Sequence, residues 1–114
     1  MEIRESRQGG VLVVAPVGRV DTTTSEDLEQ RLLKHVSGGD TRVVVDMCGI
    51  EYISSAGLRV LLMLLKKLQE AQGQLVLCSL GESVRQVFEL AGFLTIFSVE
   101  PSLDLALTRL SKAG

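Results

Sequence analysis

Residues 42–46 read RVVVD, a β-branched run without alternation of apolar and polar positions, and this run most narrows what the chain can become. A half-exposed strand alternates with a period of two. A strand apolar at every position needs cover on both faces, which is the habit of a central strand in a parallel sheet flanked by helices. The chain then passes through MCGIEYI, expected to be a short loop, into SSAGLRVLLMLLKKLQ. There Leu58, Leu61, Leu62, Leu65 and Leu68 form one stripe at helical spacing, Lys66, Lys67, Gln69 and Glu70 cluster towards the end, and Gly73 closes the helix. The spacing predicts a helix of about four turns. At the joint, Ser54 and Ser55 precede Ala56 and Gly57. A helix N-terminus offers unpaired N–H groups and the positive end of the macrodipole, so a phosphate placed there is well tolerated.

Elements of the same kind fill the rest of the chain. Residues 2–7 alternate like an edge strand, Gly9-Gly10 supplies a turn, and residues 11–17 (VLVVAPV) return as the second arm of a hairpin, irregular near its end because of Pro16. A Thr/Ser cluster before Glu26 and Asp27 supplies helix-start chemistry, and Leu28, Leu32, Leu33 and Val36 recur at helical spacing, so a helix runs from about Ser25 to Val36 and stops at Gly38-Gly39. Further along come a strand over 74–79, a helix over 81–90, a short strand over 95–99, and a C-terminal helix over 102–111 after Pro101. The order ββαβαβαβα implies an α/β fold: a mixed, mostly parallel sheet with right-handed crossovers, about four helices and an antiparallel N-terminal strand at one edge. With 114 residues, 46% of them hydrophobic and 23% charged, residues 1–114 make one globular domain.

Several function classes drop out. The formal net charge of −2 and the lack of a basic patch argue against direct nucleic-acid binding. No apolar run approaches the roughly 18 residues of a membrane span and the first ten residues lack a signal-peptide core, so a cytoplasmic protein without membrane insertion is expected. Cys48 and Cys78 are too few and too far apart for a zinc site or a redox pair, and His35 lies among charges on a surface helix, so no metal site is expected. There is no G-x-x-x-x-G-K-[ST] loop, no G-x-G-x-x-G after the first strand and no G-x-S-x-G elbow, and a nucleophilic Ser54 or Ser55 lacks a nearby base. The chain is therefore not read as an enzyme.

What remains is a strand–loop–helix corner displaying hydroxyls, and here the sequence resembles the STAS domains of anti-sigma factor antagonists. That family's signature is a strand ending in Asp or Asn, a short loop with an apolar residue, then Asp-Ser-[Ser/Thr]-Gly opening a helix; Asp46, Ile53, Ser55 and Gly57 match it, and Leu58 continues the apolar stripe. GRVDTTTSEDLEQRL at 18–32 is similar to the family's Gly-x-[Leu/Ile/Val]-Asp and its Thr/Ser/Ala-rich loop, with Asp21 at the acidic position. The chain departs from the pattern at Ser54, where the family commonly has Asp, and at Ala56, where it has Ser or Thr.

The resemblance implies a binding module. The unmodified form would bind an anti-sigma factor that is also its serine kinase, of the histidine-kinase-like ATPase class, and so release a bacterial sigma factor for transcription. Phosphorylation at Ser55, with Ser54 as the second candidate, would switch binding off, and a PP2C-type phosphatase would reset it; no cofactor would belong to this chain. The implied contact surface comprises Asp21, Thr22, Thr23, Ser54, Ser55, Gly57, Leu58 and Arg59. From the residues alone, Ser54 and Ser55 also read as helix caps and Asp21 as a turn residue. Two other readings share the fold: a STAS subunit serving structurally in a transporter or stress-sensing complex without phospho-switching, and a small enzyme or nucleotide binder.

Overall fold

The computed structural model describes residues 1–112. Its elements run β1 (Glu2–Gln8), β2 (Val11–Val20), α1 (Ser25–Ser37), β3 (Arg42–Asp46), β4 (Ile50–Ile53), α2 (Ser55–Glu70), β5 (Gln74–Cys78), α3 (Glu82–Leu90), a 3-10 turn (Phe93–Thr95), β6 (Ser98–Glu100) and α4 (Leu103–Lys112). The sheet order is β1-β2-β3-β5-β6, with β4 on β2 as a sixth strand. Among the described residues only the β1–β2 hairpin is antiparallel, and β1 lies at the edge, as its alternating, charged sequence predicts. Both turn glycines have positive φ, 59° for Gly9 and 81° for Gly10, the conformation that a two-residue hairpin turn requires.

The apolar run of β3 is explained by its two coats. Val43 and Val45 point into a layer with Leu12, Val14, Leu75 and Leu77, covered by α1, α2 and α3. Val44 points the other way, with Val11, Val13, Val76 and Cys78, under Ala106 and Leu110 of α4. On α2 the buried face is Gly57, Leu58, Val60, Leu61, Leu64 and Leu68, so the core stripe is rotated from the predicted one and Leu62 and Leu65 are only half-buried. The helix closes through Gln72, whose φ is 58°, and through the Gly73 N–H, which donates to the Leu68 carbonyl at 2.6 Å.

Two segments differ from expectation. The loop predicted between β3 and α2 contains β4, which pairs in parallel with the end of β2: Gly18 with Ile50, Arg19 with Tyr52, Val20 with Ile53. β2 thereby extends past Val17. It pairs with β3 over Leu12, Val13 and Val14 and with β4 from Gly18 onward, and Pro16 falls between the two ladders, where neither parallel pairing needs its missing N–H. The strand predicted over 95–99 begins instead as the 3-10 turn and becomes β6 only at Ser98. The cause is aromatic packing: Phe93 and Phe97 both approach Phe88, each at a centroid distance of 6.0 Å, and a turn places them on the same side where a strand from Thr95 does not.

His35, expected as a plain surface residue, is instead the hub of a charged cluster joining β1, α1 and the turn before β3. Its Nε2 lies 2.8 Å from Glu5 and its Nδ1 3.5 Å from Asp40, while Arg31 reaches Glu5 at 2.9 Å and Arg7 forks onto Asp40. Partial burial alone would raise the Glu5 carboxyl, but His35 and Arg31 outweigh it and hold its pKa below the usual value. The Arg7 hydrogen bond does the same for Asp40 against partial burial. Lowered folded-state pKa values mean stability that is present above the unfolded value and is lost as pH falls through the folded one. Stability to urea should therefore decline from about pH 5 towards pH 3. Asp40→Asn should flatten that slope, and an unchanged slope would show that the cluster contributes nothing to acid sensitivity.

Candidate functional site: the corner where β2 and β4 end

Because β2 and β4 are parallel, they end level with each other, and the residues that follow them emerge side by side: Asp21 after Val20, Ser54 after Ile53. The Ser54 N–H donates to the Val20 carbonyl at 2.8 Å and fastens the two exits together. Gly57 is buried on this seam. A Cβ there would lie 2.7 Å from both Ile53 Cγ1 and Val20 Cγ1, closer than carbon atoms tolerate, so glycine lets the first turn of α2 sit directly on the paired strands.

The two serines have different tasks. Ser54 is the N-cap of α2, in extended conformation, and its hydroxyl accepts the Gly57 N–H at 3.4 Å. Ser55 is the first helical residue, exposed, and its hydroxyl has no hydrogen-bond partner among the described residues. The capping reading thus falls on Ser54 and leaves Ser55 free. No acidic residue lies in the first turn of α2, whereas α1 carries Glu26 and Asp27, α3 Glu82 and α4 Asp104. The positive end of the α2 dipole has no side-chain carboxylate in its own first turn to offset it.

Asp21 is a turn organiser. Its Oδ1 accepts from Thr23 Oγ1 at 2.7 Å, from the Thr23 N–H at 3.0 Å and from the Thr24 N–H at 3.2 Å. These bonds, led by the Thr23 hydroxyl, hold the Asp21 carboxyl below its usual pKa. Thr24, the N-cap position of α1, makes no side-chain cap bond and donates its hydroxyl to the Arg19 carbonyl at 2.7 Å, so helix-start chemistry here belongs to Asp21 more than to the Thr run. Thr22 and Thr23 are exposed.

Of the predicted contact residues, Asp21, Thr22, Thr23, Ser54, Ser55 and Arg59 have accessible surface, and the strand pairing gathers the loop residues with the serines. Gly57 and Leu58 do not present themselves: Gly57 is buried and Leu58 is only 8% exposed, so both support the surface from beneath. Their apolar or missing side chains were the signal for that role. Reading the chain alone also misses a pair on the same two strands: the Arg19 guanidinium lies 4.3 Å from the centroid of the half-exposed Tyr52 ring and 3.8 Å from Asp21. Only the β2–β4 register, which sets Arg19 opposite Tyr52, reveals it. Cys48 is exposed, but a hydrogen bond to Asp46 and some burial raise its thiol pKa, which suits an unreactive loop residue. Among the described residues no cluster of His, Cys, Asp and Glu could hold a metal ion, and no helix is long and apolar enough to cross a membrane.

The unequal roles of the serines have a measurable consequence. Ser54→Ala should cost about 1 kcal/mol of unfolding free energy through loss of the cap, while Ser55→Ala should stay within about 0.5 kcal/mol of the parent. Urea denaturation checks both, and equal costs would contradict the division of labour.

Comparison with known proteins places this corner in context. The family model for the STAS domain matches residues 2–106. A Bordetella bronchiseptica protein named as an anti-sigma factor antagonist, BtrV, is 44% identical over 106 residues, covering 93% of this chain and 91% of that protein. The crystal structure of an anti-sigma factor antagonist from Mycobacterium paratuberculosis superposes with a TM-score of 0.89 at 29% identity, covering 96% of this chain and 93% of the other. The Bacillus cell fate determinant SpoIIAA in its phosphorylated form shares the fold with a TM-score of 0.74 at 16% identity, covering 95% of this chain and 98% of that one. With its sheet order, its glycine-seated corner and these matches, the chain belongs to the STAS domain family and stands among relatives named as anti-sigma factor antagonists.

Proposed function

We propose that this chain is an anti-sigma factor antagonist: unmodified, it binds an anti-sigma factor that is also a serine kinase and thereby frees a sigma factor, and phosphorylation at Ser55 ends that binding. The observation that carries the reading is the exposed Ser55 hydroxyl, free of any bond within the described residues, beside a neighbour that already provides the cap. A kinase can take this hydroxyl without removing an interaction the fold uses. The 44% identity to a protein named for the same role favours the switch over a purely structural subunit, and SpoIIAA, similar in fold, exists in a phosphorylated form.

In the forward step the Ser55 oxygen attacks the γ-phosphorus of ATP held by the kinase, ADP leaves, and the hydroxyl proton passes to a base on the kinase. A PP2C-type phosphatase would reverse the state by hydrolysis, releasing inorganic phosphate. Nucleotide and metal belong to those enzymes. On this chain the modification adds about −1.5 to −2 charges at a helix start, where the dipole accommodates anions, so the fold persists while the contact surface changes sign. Repulsion and bulk then act on a partner docked across the Asp21–Thr23 loop and the first exposed turn of α2. Unmodified chain and Ser55→Ala should both retain the kinase in a pull-down from cells of the source organism. Ser55→Asp should lose at least about tenfold in affinity, about 1.4 kcal/mol, with an unchanged circular dichroism spectrum. Equal recovery by Ser55→Asp would overturn the switch.

A further inference from the structure

Arginine in this molecule is nearly always engaged. Arg4, Arg7, Arg19, Arg31, Arg85 and Arg109 are paired with carboxylates, and Arg42 donates to the Leu110 carbonyl. Arg59 is the exception: it is exposed and has neither an ion-pair nor a hydrogen-bond partner among the described residues. It follows Ser55 by four positions on α2, so both project from one face of the helix, about 5–6 Å apart at Cβ. Helical side chains tend to lean towards the N-terminus, so a guanidinium at position 59 can reach back to a group on residue 55, and a negative group preceding a positive one at this spacing is the favourable order. Further along α2, Leu62, Met63 and Lys66 share with Arg59 a shallow groove of about 270 Å³, and the one carboxylate there, Glu70, is paired with Lys67 at 4.0 Å. Arg59 is therefore a cation held in reserve next to the candidate acceptor.

We propose that Arg59 alternates between two partners: in the unmodified chain it faces a carboxylate of the docked kinase, and after phosphorylation the phosphate on Ser55 captures it through a forked ion pair. The inference rests on the phospho-switch reading and deepens it, because modification then withdraws a cation from the interface as well as adding negative charge. A planar guanidinium matches two phosphate oxygens at once, an arrangement that a lysine ammonium reproduces only as a point charge. The captured state breaks no ion pair or side-chain hydrogen bond, since Arg59 has neither among the described residues.

The test installs phosphoserine at position 55 genetically, without the kinase, in the parent, in Arg59→Ala and in Arg59→Lys. The second phosphate ionisation, ordinarily near pH 6, is then followed by phosphorus NMR. The parent should titrate at least about 0.3 pH below Arg59→Ala, with Arg59→Lys between them, and the gap should shrink at 1 M salt. Identical curves for the parent and Arg59→Ala would overturn the capture. In the second arm, unmodified Arg59→Ala should bind the kinase recovered by the parent about tenfold more weakly, and unchanged affinity would overturn the partner half. Because the phosphate is installed independently, failure of the kinase to modify Ser55 would sink the switch reading alone, whereas identical titrations would sink the Arg59 capture alone.

Discussion

Where the Ser54 N–H meets the Val20 carbonyl at 2.8 Å, two parallel strands are held to a common end, and the candidate site depends on that registration. It sets the Asp21 turn beside the serines although more than thirty residues separate them in the chain. Gly57 suits the registration, because a Cβ there would crowd the Ile53 and Val20 side chains at 2.7 Å and force either them or the first turn of α2 to shift. The buried face of that helix then anchors the corner to the core through Leu58, Leu61, Leu64 and Leu68, each fully buried leucine supplying about 1.5–3 kcal/mol of transfer free energy.

On this base the chemistry is divided among neighbours. Ser54 completes the helix N-terminus, Ser55 displays an uncommitted hydroxyl, and Arg59 displays an uncommitted cation one turn further on. The departure from the family pattern at Ser54 is intelligible in these terms: a serine still caps the helix but adds no negative charge, so the α2 N-terminus carries no carboxylate in its first turn. A phosphate on Ser55 would be the first negative charge on that turn. Such a switch works on the surface of a corner whose supports lie elsewhere, which allows the folded structure to stay the same in both states.

Much of the fold was legible because its signals are local or doubly enforced. The unbroken apolar runs of β3 and β5 match burial on both faces, Gly9-Gly10 matches a tight hairpin turn, and the motif from Ser54 to Leu58 marks the start of α2. β4 was illegible because its four residues, buried only at Ile50 and Ile53, carry neither alternation nor a continuous apolar run, and their strand character comes from a partner far away in sequence. Residues 95–99 looked extended, but the contacts among Phe88, Phe93 and Phe97 overrode β propensity. The α2 stripe was misplaced by part of a turn because leucine occupies both the core positions and the half-exposed Leu62 and Leu65. At the site, residue identities and their order were legible, whereas the assignment of the cap to Ser54, the burial of Leu58 and the stacking of Arg19 on Tyr52 required the three-dimensional register.

Under the proposed switch, the phosphate goes to Ser55, whose hydroxyl has no partner among the described residues, and not to the capping Ser54. Site mapping by tandem mass spectrometry decides between the two serines, with the purified parent, Ser54→Ala and Ser55→Ala each incubated with ATP and the serine kinase proposed as partner. A single phosphate on Ser55, retained in Ser54→Ala and absent from Ser55→Ala, is expected. A phosphate on Ser54, or on Thr22 or Thr23, with Ser55 unmodified would contradict it.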